Sequence, residues 1–482
     1  MTPTIASLLI FVPLLSAVAA YFVRGTGRRS DLLIAVAAMH SAGVAILWVR
    51  PAESRPGAWL MVDDLGLVVL SIVSVLFFTV SFYAAASARA ETQRGGRAFV
   101  SCLLSFLAAT SLVAVSQHMA LLWVGMEATT LAIAPLIYSR HDRRSLEAVW
   151  KYLVLSSVGI ALALLAVFFL AASQLNDPGS RALLLPDLVG RAAHLDGRWL
   201  RGAYVFALVG FGTKMGLAPM HTWKPDTYGE APSLVGGLMA GALTTCAFLA
   251  LARFTQVITA ADLQTFARPL LIAAGLFSLL VATAFIIGQA DIKRLLAYSS
   301  VEHMGLLVLG LGLGGVGPYG SVLHLINNGL VKVMLFLVVG NLVLAAGTSV
   351  VADMRGMQRM RPVSGWLLLI GLFAVTGSPP FGMFISEFMI VSAAVQQHHP
   401  WVATATVLML ATIFAGIAAM IVEILYGEGR EPERKASWTE RAPYLFGPIA
   451  LGSLVLMLGL YIPGPLRTLA GRAAVSLGGV AP

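Results

Sequence analysis

The sequence predicts an all-α polytopic membrane protein of about fourteen transmembrane helices, with two inverted five-helix repeats and broken helices 7 and 12. Three observations predict it. Of 482 residues, 58% are hydrophobic and only 11% charged, whereas a soluble domain carries about 25% charged residues. A chain this poor in charge cannot cover a water-facing surface, which excludes a soluble globular enzyme and a disordered chain. The apolar residues run in continuous stretches close to the roughly 20 residues a helix needs to cross a bilayer, and lack the short alternation of a β-barrel. Finally, two stretches are interrupted at corresponding places in the two halves, the pattern of transporters built from inverted repeats.

In order, the apolar segments are 3–23, 31–49, 60–88, 98–116, 119–139, 147–173, 202–223, 232–254, 268–289, 292–315, 318–346, 363–396, 401–426 and 443–462. They must be helical, because backbone groups in lipid have to be satisfied within their own segment. No Lys or Arg precedes Arg24, so the first segment lacks the basic start of a signal peptide and reads as a retained span. In segment 7, Pro219 and Pro225 bracket the polar run His221-Thr222-Trp223-Lys224. In segment 12, Gly377-Ser378-Pro379-Pro380 interrupts the apolar run. Proline removes a helical hydrogen bond and clashes with the preceding turn, and such breaks persist at membrane depth only against protein or a water-filled cavity. The organisation read from this is 1–97 for helices 1–3, 98–255 for the first repeat (helices 4–8), 256–427 for the second (helices 9–13), and 428–482 for a loop and helix 14.

The net charge of +9 reads as topology, not as nucleic-acid binding. Loops after odd-numbered segments carry about twice as many Lys and Arg as the others, which by the positive-inside rule places both termini on the non-cytoplasmic side of what reads as a prokaryotic inner membrane. Cys102 and Cys246 lie in apolar segments, with neither a disulfide framework nor metal-ligand spacing. No catalytic triad, zinc motif or P-loop is present, so no catalytic residue, metal or cofactor is expected. His398 and His399 read as a loop, Gly310–Gly320 as a turn or close packing, Asp63 and Asp64 as interfacial, and Glu423 as the end of segment 13.

The informative residues are ionisable groups far from any loop: Glu127 (segment 5), Lys151 (6), Lys214 (7), Glu302 and His303 (10), His324 and Lys332 (11), and Glu387 (12). A charge at mid-membrane costs about 3 kcal/mol on insertion scales, while an interhelical polar contact returns about 0.6 kcal/mol. Such groups must therefore be paired, hydrated or neutralised. Pinning helices together is a poor return, and a chain of proton-exchanging sites is the better reading. A lysine suits it, because desolvation and a nearby carboxylate pull its proton affinity in opposite directions. His324, Asn328 and Lys332 fall at i, i+4 and i+8, on one helix face. Tyr298 and Glu302 share a face in the same way. His221 reads equally as a gate or as a partner for freed carbonyls, and Pro219, Asp226, Pro379 and Pro380 are the other candidates for gating.

At these residues the sequence resembles the antiporter-like, proton-conducting membrane subunits of complex I and its relatives, nearest to component F of hydrogenase-4-type complexes. The carriers are Trp123-Val-Gly-Met-Glu127, Lys214 through Asp226, Asp291 through Gly305, His324 through Lys332, and Gly377 through Phe388. The resemblance implies fourteen helices, with Glu127 as the helix 5 carboxylate that modulates Lys214, and Lys151 as the helix 6 lysine near that pair. It makes Lys332 the central lysine of helix 11 and Glu387 the helix 12 residue of the second half-channel. Many relatives carry Lys or His on helix 8, where this chain has Thr245 on alignment, so Glu302 and His303 are expected to substitute. The function expected is a proton-translocating subunit of a redox-driven complex. Its partners would be other membrane subunits, the lipid bilayer and a nickel–iron hydrogenase-like arm, with no redox centre of its own. The alternatives are an NADH-quinone oxidoreductase M- or N-type subunit, a monovalent cation/proton antiporter subunit in which sodium replaces or accompanies the proton, and a membrane scaffold that moves no ions.

Overall fold

A computed structural model describes residues 2–50, 57–89, 96–175, 182–428 and 440–481. Their helices, in order, are α1 (Thr2–Phe22), α2 (Thr26–Val49), α3 (Asp64–Arg89), α4 (Arg97–Val115), α5 (Met119–Ile137) and α6 (Arg143–Ala172). Next come α7 (Leu185–Gly190), α8 (Gly197–Met215), α9 (Trp223–Glu230), α10 (Ser233–Leu238), α11 (Thr244–Ala260), α12 (Gln264–Ile286), α13 (Ile292–Leu313) and α14 (Gly317–Ala346). The last are α15 (Met357–Met360), α16 (Pro362–Val375), α17 (Gly382–Gln396), α18 (Pro400–Tyr426), α19 (Ala442–Leu460) and α20 (Gly464–Ser476).

Twelve helices among the described residues are long and apolar enough to cross a membrane, counting Ser233–Ala260 as one. The two apolar segments not among them are the interrupted ones. Segment 7 becomes α8 and α9, and segment 12 becomes α16 and α17. The packing order repeats: α4 lies on α5, α5 on α6 and α6 on α8, as α12 lies on α13, α13 on α14 and α14 on α17. The third member of each run, α6 or α14, has 30 residues. Helix α14 is the hub, touching α3, α10, α13, α16, α17 and α19, and it is buried almost throughout.

Local sequence sets the breaks. Helix α8 ends at Gly216, whose φ of +76 is the left-handed conformation that glycine adopts without a steric penalty. Its counterpart after α16 is Gly377, with φ +61. The Ala218–Pro219 and Pro379–Pro380 peptide bonds within the two breaks are both cis. A backbone group freed by the first break is satisfied by protein: the Ala218 N–H donates to Ser278 Oγ at 3.0 Å. Lys293 donates to the carbonyls of Gly229 and Ala231, both at 2.7 Å, closing the C-terminus of α9.

Asp63, read from the sequence as interfacial, is held in an internal clamp. Arg253 on α11 is fully buried and grips Asp63, Nη1 to Oδ2 at 2.9 Å and Nη2 to Oδ1 at 2.8 Å. Burial works against charge on Asp63, yet the guanidinium and the Gly66 N–H outweigh it and hold the carboxyl below the ordinary range. The contribution is therefore complete above about pH 4 and fades as pH falls through the lower folded value. Asp63→Asn leaves a buried guanidinium without its counter-charge, and we expect it to lower stability by about 3 kcal/mol. Thermal melts of the detergent-extracted protein check this: the variant should melt lower at pH 7, and the gap to the parent should narrow in acid.

Lys224 and Lys293, at the ends of segments 7 and 10 and counted with the loops in the tally of basic residues, are both buried. Arg55, Arg94, Arg181, Arg430, Arg434 and Lys435, which entered the orientation argument, lie outside the described residues. Gly314 and Gly315 form the turn between α13 and α14 with φ of +71 and +55. Arg355 pairs with Glu423, and Arg472 with Asp64 at 2.8 Å.

Candidate functional site: a file of buried protonatable side chains

The first cluster joins α5, α6 and α8. Lys214 is fully buried, and its Nζ donates to Thr130 Oγ1. The same hydroxyl donates to Glu127 Oε2 at 3.2 Å. The expected Glu127–Lys214 pair is thus bridged through one hydroxyl. Lys214 Nζ also lies 5.3 Å from the centroid of the Tyr152 ring, which a cation finds favourable.

The second cluster joins α13, α14 and α17. Lys332 Nζ donates to Ser299 Oγ at 2.7 Å. That oxygen lies 3.2 Å from Glu302 Oε2, to which it donates, and 3.5 Å from His303 Nε2. His303 Nδ1 and His324 Nε2 share one hydrogen bond of 3.2 Å. His324 Nδ1 reaches Ser386 Oγ at 3.0 Å. Next to Ser386 is Glu387, whose carboxylate lies against Gly377, in space that a Cβ there would occupy. His303, His324 and Glu387 each bring a nitrogen or oxygen within 4.8 Å of the other two. All of Lys332, Glu302, His303, His324 and Glu387 are buried. The face predicted on α14 is real, and its middle residue, Asn328, is buried with neither amide atom bonded to protein among the described residues. Buried amides are ordinarily satisfied by protein or water, so this stretch suits a hydrated path.

Between the clusters stands a residue the sequence reading missed. Lys224 on α9 is fully buried and donates to Ser300 Oγ at 2.9 Å. Its stem lies over Gly216, where a Cβ would collide with it. The flanking prolines made the segment look like a loop. The hydroxyls of Thr130, Ser299, Ser300 and Ser386 were missed as well, since serine and threonine are scattered through every apolar segment. Thr245 offers no substitute, for its hydroxyl is committed to Gly241 O at 2.6 Å.

Lys151 departs from expectation. Its side chain is 45% exposed and forms ion pairs with Glu147 at 2.8 Å and Asp226 at 2.7 Å. It points away from the buried file because its position on α6 faces outward, beside Asp226, which also binds Arg294 at 3.1 Å. Together with Arg144 and Glu230 these residues line a charged cup of about 240 Å³. His221, next to the α8–α9 break, lies beside Tyr298, ring centroids 6.2 Å apart. Pro219, Pro379 and Pro380 lie in the breaks themselves.

Lys214, Lys224 and Lys332 share one arrangement: each donates to a side-chain hydroxyl, and among the described residues none of the three is in an ion pair. A hydroxyl both accepts and donates, so it relays charge without fixing the amine as an ammonium, as a direct carboxylate partner would.

The family described as NADH:quinone oxidoreductase/Mrp antiporter, transmembrane, matches residues 116–413, a stretch that holds every residue of both clusters. A hydrogenase-4 component F homolog from Methylacidiphilum infernorum is 33% identical over 432 residues, 87% of this chain and 89% of the relative. An NADH-quinone oxidoreductase subunit N from Desulforudis audaxviator is 30% identical over 457 residues, 89% of this chain and 88% of the relative. In the solved structure of the membrane-bound sulfane sulfur reductase, an archaeal respiratory membrane complex, one chain has the same fold, with a TM-score of 0.86 at 21% identity, covering 98% of each chain. With its matched core, its two broken helices and its all-helical fold, the chain belongs to the NADH:quinone oxidoreductase/Mrp antiporter membrane-subunit family.

Proposed function

We propose that this chain is the proton-translocating membrane subunit of a redox-driven complex of the hydrogenase-4 type. One observation carries the reading: protonatable side chains and hydroxyls run from Glu127 through Thr130 to Lys214, and from Lys332 through Ser299, Glu302, His303 and His324 to Glu387. The two clusters fall in the two blocks, 98–255 and 256–427, each next to a broken helix. Electron transfer in a partner arm would change the field or conformation at one end of the bundle. The Glu127–Thr130–Lys214 relay responds first, because a carboxylate brought nearer favours the ammonium and one moved away releases its proton. The groups titrate as a coupled set. A nickel–iron hydrogenase-like arm, a prokaryotic inner membrane and termini on the non-cytoplasmic side complete the proposal.

The test uses the intact complex in proteoliposomes, with protons counted per electron pair. Glu127→Gln and Lys214→Met are each expected to lower the count about tenfold or more. If both leave it unchanged, the mechanism is wrong. The 30% identity to a subunit N favours one second reading, an NADH-quinone oxidoreductase subunit. Proteins that co-purify in mild detergent separate the two, nickel–iron subunits in one case and a flavin-bearing NADH arm in the other.

A further inference from the structure

The two clusters stop short of one another, and Lys224 occupies the interval. Its α-carbon belongs to α9, the second piece of broken segment 7, so it is tied by sequence to Lys214. Its stem crosses Gly216, two residues beyond Lys214. Its Nζ ends on the other block, at Ser300 of α13, 2.9 Å away. The residue before Ser300 is Ser299, which accepts from Lys332. One helix of the second block therefore offers consecutive hydroxyls to an amine from each block. The site is closed and aromatic: Lys224 Nζ is 6.0 Å from the Tyr228 ring centroid, Trp223 lies 6.1 Å from Tyr228, and Trp223 Nε1 donates to Thr213 O at 2.9 Å. No carboxylate pairs with Lys224 among the described residues. A lysine held in that setting for structure alone would be poorly chosen, since an unpaired buried ammonium is costly.

We propose that Lys224 carries the proton across the seam between the two blocks, accepting it from the Lys214 side and passing it to Lys332. This deepens the proposed function and rests on it. In each hop an N–H bond of an ammonium breaks as one forms on a neutral amine, directly through the serine hydroxyls or through water, and no other reactant takes part. Two ammonium groups on neighbouring serines repel in a low-dielectric site, so a proton on Lys224 disfavours one on Lys332, and occupancy alternates between them.

The test is proton flux per electron pair in the reconstituted complex, comparing Lys224→Arg, Lys224→Gln and Lys224→His. Arginine keeps the charge and a hydrogen-bond donor for Ser300 but does not release its proton. A role confined to charge or packing therefore predicts near-parental flux in the Arg variant. Proton carriage predicts a fall of about tenfold or more in both Arg and Gln variants, with partial retention in His, the one replacement that titrates readily. Flux within twofold of the parent in the Arg or Gln variant overturns the proposal. Should the Arg variant fail to assemble, the other two decide: flux with His but not Gln supports it, and equal flux overturns it. Lys214→Met is run in parallel. If it stops pumping while the Lys224 variants pump normally, this inference fails and the proposed function stands. If it pumps normally as well, the reading underneath fails.

Discussion

Lys332→Met is expected to cut proton translocation about a hundredfold. Lys332 is the junction of that cluster. Its amine reaches Ser299 at 2.7 Å, and the same hydroxyl donates to Glu302 and lies beside His303. Methionine keeps most of the volume and removes the amine that bonds Ser299. It also leaves Glu302 buried without a nearby cation, which should lower the stability of the extracted protein by about 2 kcal/mol. Adding Glu302→Gln separates the two effects. The double variant should regain most of the lost melting temperature, because a buried pair replaced on both sides is nearly neutral, and it should still not pump. Recovery of flux together with stability would mean that Lys332 serves only to hold the bundle together.

Glu387→Gln should stop steady pumping to a similar degree, but with a different transient. Glu387 is the last member of the file, next to Ser386 and seated against Gly377 in the second break. Its Oε1 is buried and has no hydrogen-bond partner among the described residues. The groups upstream are untouched by the replacement. A rapid-mixing measurement with a pH dye should therefore show one turnover of proton uptake without the matching release. In Lys332→Met the uptake itself should be curtailed. Steady flux at the parental level in Glu387→Gln would remove this residue from the path.

Much of this was legible in the sequence, for physical reasons that differ from residue to residue. The helices were, because twenty apolar residues admit few alternatives in lipid. The breaks were, because Pro219 and Pro379-Pro380 forbid a regular helix and Gly216 and Gly377 supply the turns. The burial of Glu302, His303, His324 and Lys332 was, because each stands inside a long apolar run. Lys224 was not. Its neighbours His221, Thr222 and Pro225 made the segment look solvated, and only the fold of α9 back against α13 shows that it is interior. Arg253 was hidden in the same way, by its nearness to a segment end. Lys151 erred in the opposite direction: depth along α6 suggested burial, but depth says nothing about which side of a helix a residue occupies. The bridging hydroxyls were illegible, since many serines and threonines here bond the carbonyl one turn back, as Thr244 does with Ala240.

The two longest helices hold matching places in the two runs. At 1.5 Å per residue, the 30 residues of α6 and of α14 each rise about 45 Å, while the hydrocarbon slab is about 30 Å thick. Both rods must lean or stand proud of the oily layer. A thinner or thicker lipid bilayer would press on the pair together and so reach both proton relays at once.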